Sequence, residues 1–180
     1  MLRIIAGIYK NKKINQPDKE LTRASTEKVR EAVFASLHFK IVDSKCLDLF
    51  AGSGAWSIEA ESRGASSIVA IEKNKHAFGV IQNNFNLLKT QKIRALNTDA
   101  LDYLNKTKED FDFIFIDAPF KNVELVNNAL ELINHKQILT TDGEIIIETD
   151  LAREIIIPSN LKIYKQKQHG RIELLYVCWN

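Results

Sequence analysis

The chain is poor in residues that break or staple a fold: its 180 residues include three prolines, seven glycines and two cysteines. So few prolines and glycines exclude long low-complexity linkers and collagen-like repeats. Cys46 and Cys178 both lie in apolar runs without metal-ligand spacing, which predicts buried, reduced thiols in a cytosolic protein. No apolar run approaches the ~20 residues needed to cross a bilayer. The opening Met-Leu-Arg-Ile-Ile-Ala-Gly-Ile-Tyr-Lys meets charge too soon to serve as a signal peptide. His38, His76, His135 and His169 are scattered without metal spacing and read as surface residues, so no metal is expected. No serine stands in a nucleophile elbow.

What remains is an ordinary soluble composition, 45% hydrophobic and 27% charged, in a length suited to one domain. The net charge of +2 is unevenly spread. Residues 1–15 hold Arg3, Lys10, Lys12 and Lys13 and no acid, and Lys162, Lys165, Lys167 and Arg171 form a second acid-free run. Two basic segments flanking a neutral body fit a polyanion-gripping margin, and equally two solvated faces.

The pattern of apolar residues predicts an N-terminal β-hairpin appendix over residues 1–22 and a single α/β domain over 23–180. A helix is expected from about Thr26 to Leu37, capped by Ser25 or Thr26, with Val29, Val33, Phe34 and Leu37 as its apolar stripe. From Lys45 onward, short apolar strands alternate with helices, which specifies a parallel sheet covered on both faces. The strands are 46–50, 67–72, 93–97, 111–116 and 143–148, the last introduced by an Asp142-Gly143 turn. Residues 161–167 and 171–178 are separated by three residues, so they pair antiparallel. The expected architecture is a Rossmann-like, mostly parallel sheet ending in an antiparallel hairpin.

Ligands in such sheets bind beyond the carboxyl ends of the strands. There the chain has Asp48-Leu49-Phe50-Ala51-Gly52-Ser53-Gly54, and Glu72 ends the next strand, where an acid can take both hydroxyls of a ribose. Two nucleotide-like readings compete. A dinucleotide fingerprint wants a third Gly or Ala where Ser57 stands, and its pyrophosphate suits Asp48 poorly. S-adenosylmethionine lacks phosphate and carries an ammonium that Asp48 could attract. A third reading is a turn built only for packing. Asp99, after the third strand, suits either an adenine amine or a helix N-cap. Asp117-Ala118-Pro119-Phe120 closes the fourth strand. An acid and a neighbouring carbonyl can accept from an amino group on a ring, Pro119 stiffens the loop, and Phe120 offers a stacking face. The plain alternative is an ordinary turn.

Taken together, these residues resemble the RsmD-type bacterial methyltransferases, which methylate the exocyclic N2 of guanine 966 in 16S ribosomal RNA. The likeness runs through Arg3-Ile4-Ile5-Ala6-Gly7, Thr22-Arg23, Val29-Arg30-Glu31-Ala32-Val33-Phe34, the glycine loop, Ile58-Glu59-Ala60, Ser62-Arg63-Gly64-Ala65, Glu72-Lys73-Asn74 and Asp117-Ala118-Pro119-Phe120. It implies S-adenosylmethionine as cofactor, with Asp48, Phe50, Ala51, Gly52, Ser53, Gly54, Glu72, Lys73, Asp99 and Ala100 around it. Arg23 and Arg30 belong to the helix region implied to close over its methionine end. It implies target chemistry at Asp117, Ala118, Pro119 and Phe120, and RNA held by Arg3, Lys10, Lys12 and Lys13. The implied partner is 16S rRNA in the small subunit or its assembly intermediate, met by a cytoplasmic monomer away from membranes.

Three positions depart from the family pattern. Ala118 replaces the first of two prolines, Ala24 replaces the proline after the arginine, and Trp56 stands where a smaller aliphatic is usual and is expected to fill core space. Rival readings are N6-adenine methylation of DNA or RNA, which the same acid–proline–aromatic device serves, and a non-catalytic RNA-binding module on a decayed fold, motivated by Ala118.

Overall fold

The computed structural model describes residues 1–17, 26–119 and 122–180. Arg23, Ser25 and Phe120, and the boundary drawn at residues 22/23, lie outside them. Two short strands, β1 (Leu2–Arg3) and β2 (Lys13–Ile14), pair antiparallel at the N-terminus. Then follow α1 (Glu27–Ser36), β3 (Lys45–Asp48), α2 (Ala55–Ser62), β4 (Ser67–Ile71), α3 (Lys75–Leu88), β5 (Ile93–Leu96) and α4 (Ala100–Lys106). The chain continues through β6 (Phe111–Ile116), α5 (Val123–Lys136), β7 (Leu139–Thr149), β8 (Leu161–His169) and β9 (Ile172–Trp179). Thr26 is the cap of α1, its hydroxyl accepting from Val29 N–H at 3.3 Å, and the expected stripe of Val29, Val33, Phe34 and Leu37 is buried.

Seven strands form one sheet in the order β5-β4-β3-β6-β7-β9-β8, with β3 to β7 parallel and β9 antiparallel to both β7 and β8. The expected sheet and terminal hairpin are present. The expected turn at Asp142-Gly143 is not a strand entry. Both residues lie inside β7, whose pairing with β6 passes from Phe111↔Leu139 to Phe113↔Glu144. β7 begins pairing before the turn and absorbs the extra residues as an irregularity in the ladder.

Three apolar clusters hold the layers. One packs α4 and α5 on one sheet face, and a second packs α1 with Trp56, Phe113, Phe115 and Tyr176 on the other. The third joins Leu2, Ile4 and Ile14 of the hairpin to Ile58, Ile81 and Phe85. Every residue of α2 is buried, acids included, because the hairpin covers the side that would otherwise face water. Its polar groups answer the hairpin's backbone. Glu59 accepts from Ile5 N–H at 3.0 Å and Ala6 N–H at 3.2 Å, and Ser62 Oγ accepts from Tyr9 N–H at 2.9 Å. Buried backbone donors require such partners. Gly7, at φ +80, passes so close that a Cβ there would lie 1.7 Å from the Ser62 carbonyl oxygen. Among the described residues, no helix is long and apolar enough to cross a membrane.

Candidate active site

The chain leaves β3 toward β4 and β5 on one side, then returns to β6 on the other. Strand order therefore reverses between β3 and β6, and a crevice opens beyond their carboxyl ends. Asp48 ends β3 and Asp117 follows β6, so the two acids meet there from positions far apart in sequence.

Asp48 is fully buried, and its Oδ2 accepts from Ser57 Oγ at 2.7 Å. Its Oδ1 is buried with no hydrogen-bond partner. Burial pushes its pKa up to about 7, the Ser57 hydrogen bond opposing and the charges of Asp117 and Glu72 adding to the rise. A buried carboxylate oxygen with nothing to accept is costly unless a donor arrives.

The glycine loop is fixed at several backbone points. Ala51 N–H donates to Ile71 O at 2.9 Å, and Asn84 Nδ2 donates to Ser53 O at 2.8 Å. Gly52 and Gly54 have φ +56 and +79, a region that favours glycine. A Cβ on Gly54 would meet the Phe85 ring at 2.8 Å, so this glycine serves packing. A Cβ on Gly52 would meet only Phe50 O, at 3.9 Å, so space above that residue is open to a ligand. Phe50 itself is half-buried against the α4–α5 cluster.

Glu72 spans the loop, with Oε2 accepting from Gly52 N–H at 2.9 Å and Oε1 from Asn74 N–H at 2.7 Å. Each oxygen keeps lone pairs for a further donor. Asn97 holds the turn by donating to the carbonyls of Glu72, at 2.8 Å, and Lys73, at 3.1 Å. Asp99 has the N-cap geometry, its Oδ1 accepting from Leu101 and Asp102 N–H, while Oδ2 pairs with Lys73 Nζ at 3.0 Å. Burial would raise the Asp99 pKa, but the Lys73 ammonium and the two amides outweigh it and lower it. Ala100 follows, buried as the first residue of α4.

Asp117 and Ala118 are half-buried and Pro119 exposed, beside Glu148, Thr149 and Asp150 at the end of β7. Trp56 Nε1 donates to Asp117 Oδ2 at 3.3 Å, while its ring stacks on Phe115 with centroids 5.3 Å apart. Trp56 therefore fills core space as expected and also orients the acid, a role that nothing in its sequence neighbourhood marks. Asn84 and Asn97 likewise carry no signal in the sequence, because their partners are backbone groups distant in sequence.

Arg30 is wholly buried, with Nη2 donating to Arg3 O at 2.9 Å. Burial lowers its pKa, and the nearby charges of Glu59, Glu27, Glu148 and Asp117 oppose that. It thus ties α1 to the hairpin at the rim of the crevice. Arg3, Lys10, Lys12 and Lys13 are all exposed on the hairpin. Arg3 has gained an acidic neighbour through folding, Glu27, at 2.8 Å. Cys46 is a buried thiol with its pKa pushed up to about 12 by burial, which excludes it as a nucleophile near neutral pH. Cys178 is half-buried and free. No group of His, Cys, Asp and Glu among the described residues could hold a metal ion.

Comparison with known proteins gives a consistent set of likenesses. The family described as "Conserved hypothetical protein 95" matches residues 2–178. The "Ribosomal RNA small subunit methyltransferase D" of Buchnera aphidicola subsp. Acyrthosiphon pisum is 35% identical over 177 residues, covering 97% of this chain and 92% of that protein. The protein of the same name from Escherichia coli is 31% identical over 172 residues, covering 95% and 86%. Among solved structures, yhhF of Escherichia coli superposes with a TM-score of 0.90 at 29% identity, covering 99% of this chain and 98% of that one. A ribosomal protein L11 methylase from Lactobacillus delbrueckii subsp. bulgaricus shares the fold, with a TM-score of 0.68 at 21% identity, covering 96% and 89%.

Proposed function

We infer function from one premise, that this chain belongs to the conserved hypothetical protein 95 family, which here includes relatives named ribosomal RNA small subunit methyltransferase D. It is a ribosomal RNA methyltransferase. The finer reading proposed is transfer of a methyl group from S-adenosylmethionine to the exocyclic N2 of guanine 966 in 16S rRNA, by a cytosolic monomer.

The site residues fit that cofactor. Asp48 Oδ1 is a buried acceptor lacking a donor, which an ammonium would supply. Glu72, held by Gly52 and Asn74, is poised for the two hydroxyls of a ribose, and the open side of Gly52 admits close approach. When bound, the cofactor supplies a methyl group already activated on a sulfonium. The remaining work falls to the chain and is chiefly positioning, which can contribute several kcal/mol. The target base leaves its stack to enter the crevice. The Asp117 carboxylate and the Ala118 carbonyl accept hydrogen bonds from its amino group. That withdraws the nitrogen lone pair from ring conjugation and leaves it free to attack the methyl group, and the Asp117 carboxylate can take the proton that the amine then releases. Arg3, Lys10, Lys12 and Lys13 hold flanking phosphates.

The observation that carries this reading is the placement of Asp117 beside the glycine loop, with its carboxylate oriented by Trp56. Single-turnover methylation of 16S rRNA and cofactor calorimetry test it. Asp117→Ala should abolish transfer while cofactor affinity stays within a few-fold, and Glu72→Ala should weaken cofactor binding. Near-normal transfer in Asp117→Ala would overturn the assignment.

A further inference from the structure

The lysines of the last hairpin have no part in the mechanism above, and their placement depends on one irregularity in the sheet. β8 pairs with β9 in one register at Lys162↔Cys178 and Ile163↔Val177, and in another from Lys165↔Tyr176 through Lys167↔Leu174 to His169↔Ile172. Tyr164 is the extra residue. In a regular strand Lys162 would face one side of the sheet, and Lys165 and Lys167 the other, since side chains alternate. The bulge reverses that parity, so all three lysines sit opposite Cys178, Tyr176 and Leu174 on one face, the side that carries α1.

Aromatic rings back the lysines. Lys165 Nζ lies 4.4 Å from the centroid of Tyr176, and Tyr164, 43% exposed, meets Tyr176 edge-on at 6.2 Å. The acids that β7 directs to this face are buried: Glu144 is 4% exposed and Glu148 7%. Glu144 is taken by Lys40 and the Tyr164 hydroxyl. Lys40 still leaves 58% of its side chain in solvent. Glu173 sits on the opposite face, receiving a hydrogen bond from Gln166. The result is a stripe of three lysines on one face, joined by Lys40 across the buried Glu144 and backed by Tyr176 at Lys165.

The stripe also has a direction. Lys167 is level with Leu174, and Leu174 pairs with Glu148, which neighbours the Asp117–Pro119 loop. From there the lysines run down β8 toward the amino ends of the strands. Lys165 and Lys167 are about 7 Å apart along the strand, and β8 lies roughly 14 Å from β6 across the sheet. Lysines on an edge strand commonly deter pairing with other chains. That purpose is served whichever face they occupy, so it does not account for the bulge gathering them onto one.

We propose that the α1-side face of β8, formed by Lys162, Tyr164, Lys165 and Lys167 with Lys40, is a second RNA-docking track that takes backbone phosphates of the strand leading away from the target base. This deepens the reading of the chain as an rRNA methyltransferase and rests on it. Together with the N-terminal hairpin, it grips the RNA on both sides of the crevice. Charge complementarity and the aromatic backing favour a nucleic acid strand, because phosphates meet the lysines while an unstacked base meets Tyr164.

The test is a Lys162→Gln/Lys167→Gln variant, which spares Lys165 on its tyrosine. Affinity for a 16S rRNA fragment containing the target is measured across a salt series. Two lost phosphate contacts should reduce the log–log salt slope by about 1.4–1.8 and weaken binding roughly tenfold or more near 0.1 M salt. The KM for RNA should rise, while melting temperature and cofactor calorimetry match wild type. A Lys162→Arg/Lys167→Arg variant should retain the wild-type slope. Unchanged slope and affinity in the glutamine variant would overturn the proposal, as would a slope lost equally in the arginine variant. An equal loss on duplex DNA of the same length would overturn the assignment to RNA. Failure of wild type to methylate rRNA would instead strike the functional reading, with the salt slope still reporting on the track by itself.

Discussion

Asp48→Asn isolates the energetic consequence of burying an acid under the glycine loop. Below about pH 4 the aspartate is protonated in both folded and unfolded chains. Between there and neutrality the unfolded chain ionises while the folded one keeps its proton, because burial has pushed the folded pKa from 3.8 to about 7. The folded state then binds more protons than the unfolded state, so stability falls as pH rises across this window. At about 1.4 kcal/mol per pKa unit, the full loss above pH 7 is roughly 4 kcal/mol. Asparagine mimics the protonated side chain and can keep the bond from Ser57 Oγ, but it does not titrate. Urea unfolding at a series of pH values should therefore show the variant gaining on wild type from about pH 4 and levelling off above pH 7. An ammonium docked beside Asp48 favours the ionised form. Cofactor affinity should accordingly climb with pH through 7 in wild type and stay flat in the variant, which falls behind as Asp48 ionises. A stability difference that does not change with pH would refute the reasoning.

Gly7→Ala should cost at least ~2 kcal/mol in urea unfolding, since its Cβ would lie 1.7 Å from Ser62 O and φ is +80; wild-type stability would show that the hairpin re-docks freely. Trp56→Phe keeps an aromatic in the core but removes the donor to Asp117, a bond to a charged group worth ~1.5–3 kcal/mol when buried and less at this half-buried site. Single-turnover transfer should slow about 5- to 10-fold with cofactor affinity unchanged, and an unaltered rate would remove Trp56 from the positioning of the acid. Ala118→Pro should leave methyl transfer equal or raised and stabilise the chain by ~0.4–1 kcal/mol, since a residue before Pro119 is already biased to extended backbone; a large loss of activity in a folded variant would show that this loop needs its freedom.

Much of this protein is written in local patterns. Alternating apolar strands and striped helices required a doubly covered parallel sheet, because each pattern reports a burial that only such layers satisfy. The glycine loop, Glu72 and Asp117 were legible because each sits at a strand's carboxyl end, a place the chain order itself defines. The spacing from Gln168 to Gly170 likewise forced the final antiparallel pair. Other features are relations between distant segments, and no local pattern encodes those. Trp56 reads as a core aromatic until β6 brings Asp117 to its indole, 61 residues away in sequence. Arg30 was legible only as part of a helix implied to close over the cofactor, and the Arg3 carbonyl reaches its guanidinium from a hairpin 27 residues away in sequence. Glu59 of α2 is matched by hairpin amides 54 and 53 residues away in sequence, a pairing that no local pattern shows. By their spacing the lysines of β8 would divide between the two faces of a regular strand, and only the bulge at Tyr164 turns them to one face. The sequence could specify the period of each element, because period follows from backbone geometry. Which face a residue finally presents, and to what, was decided by the neighbour that folding packed against it.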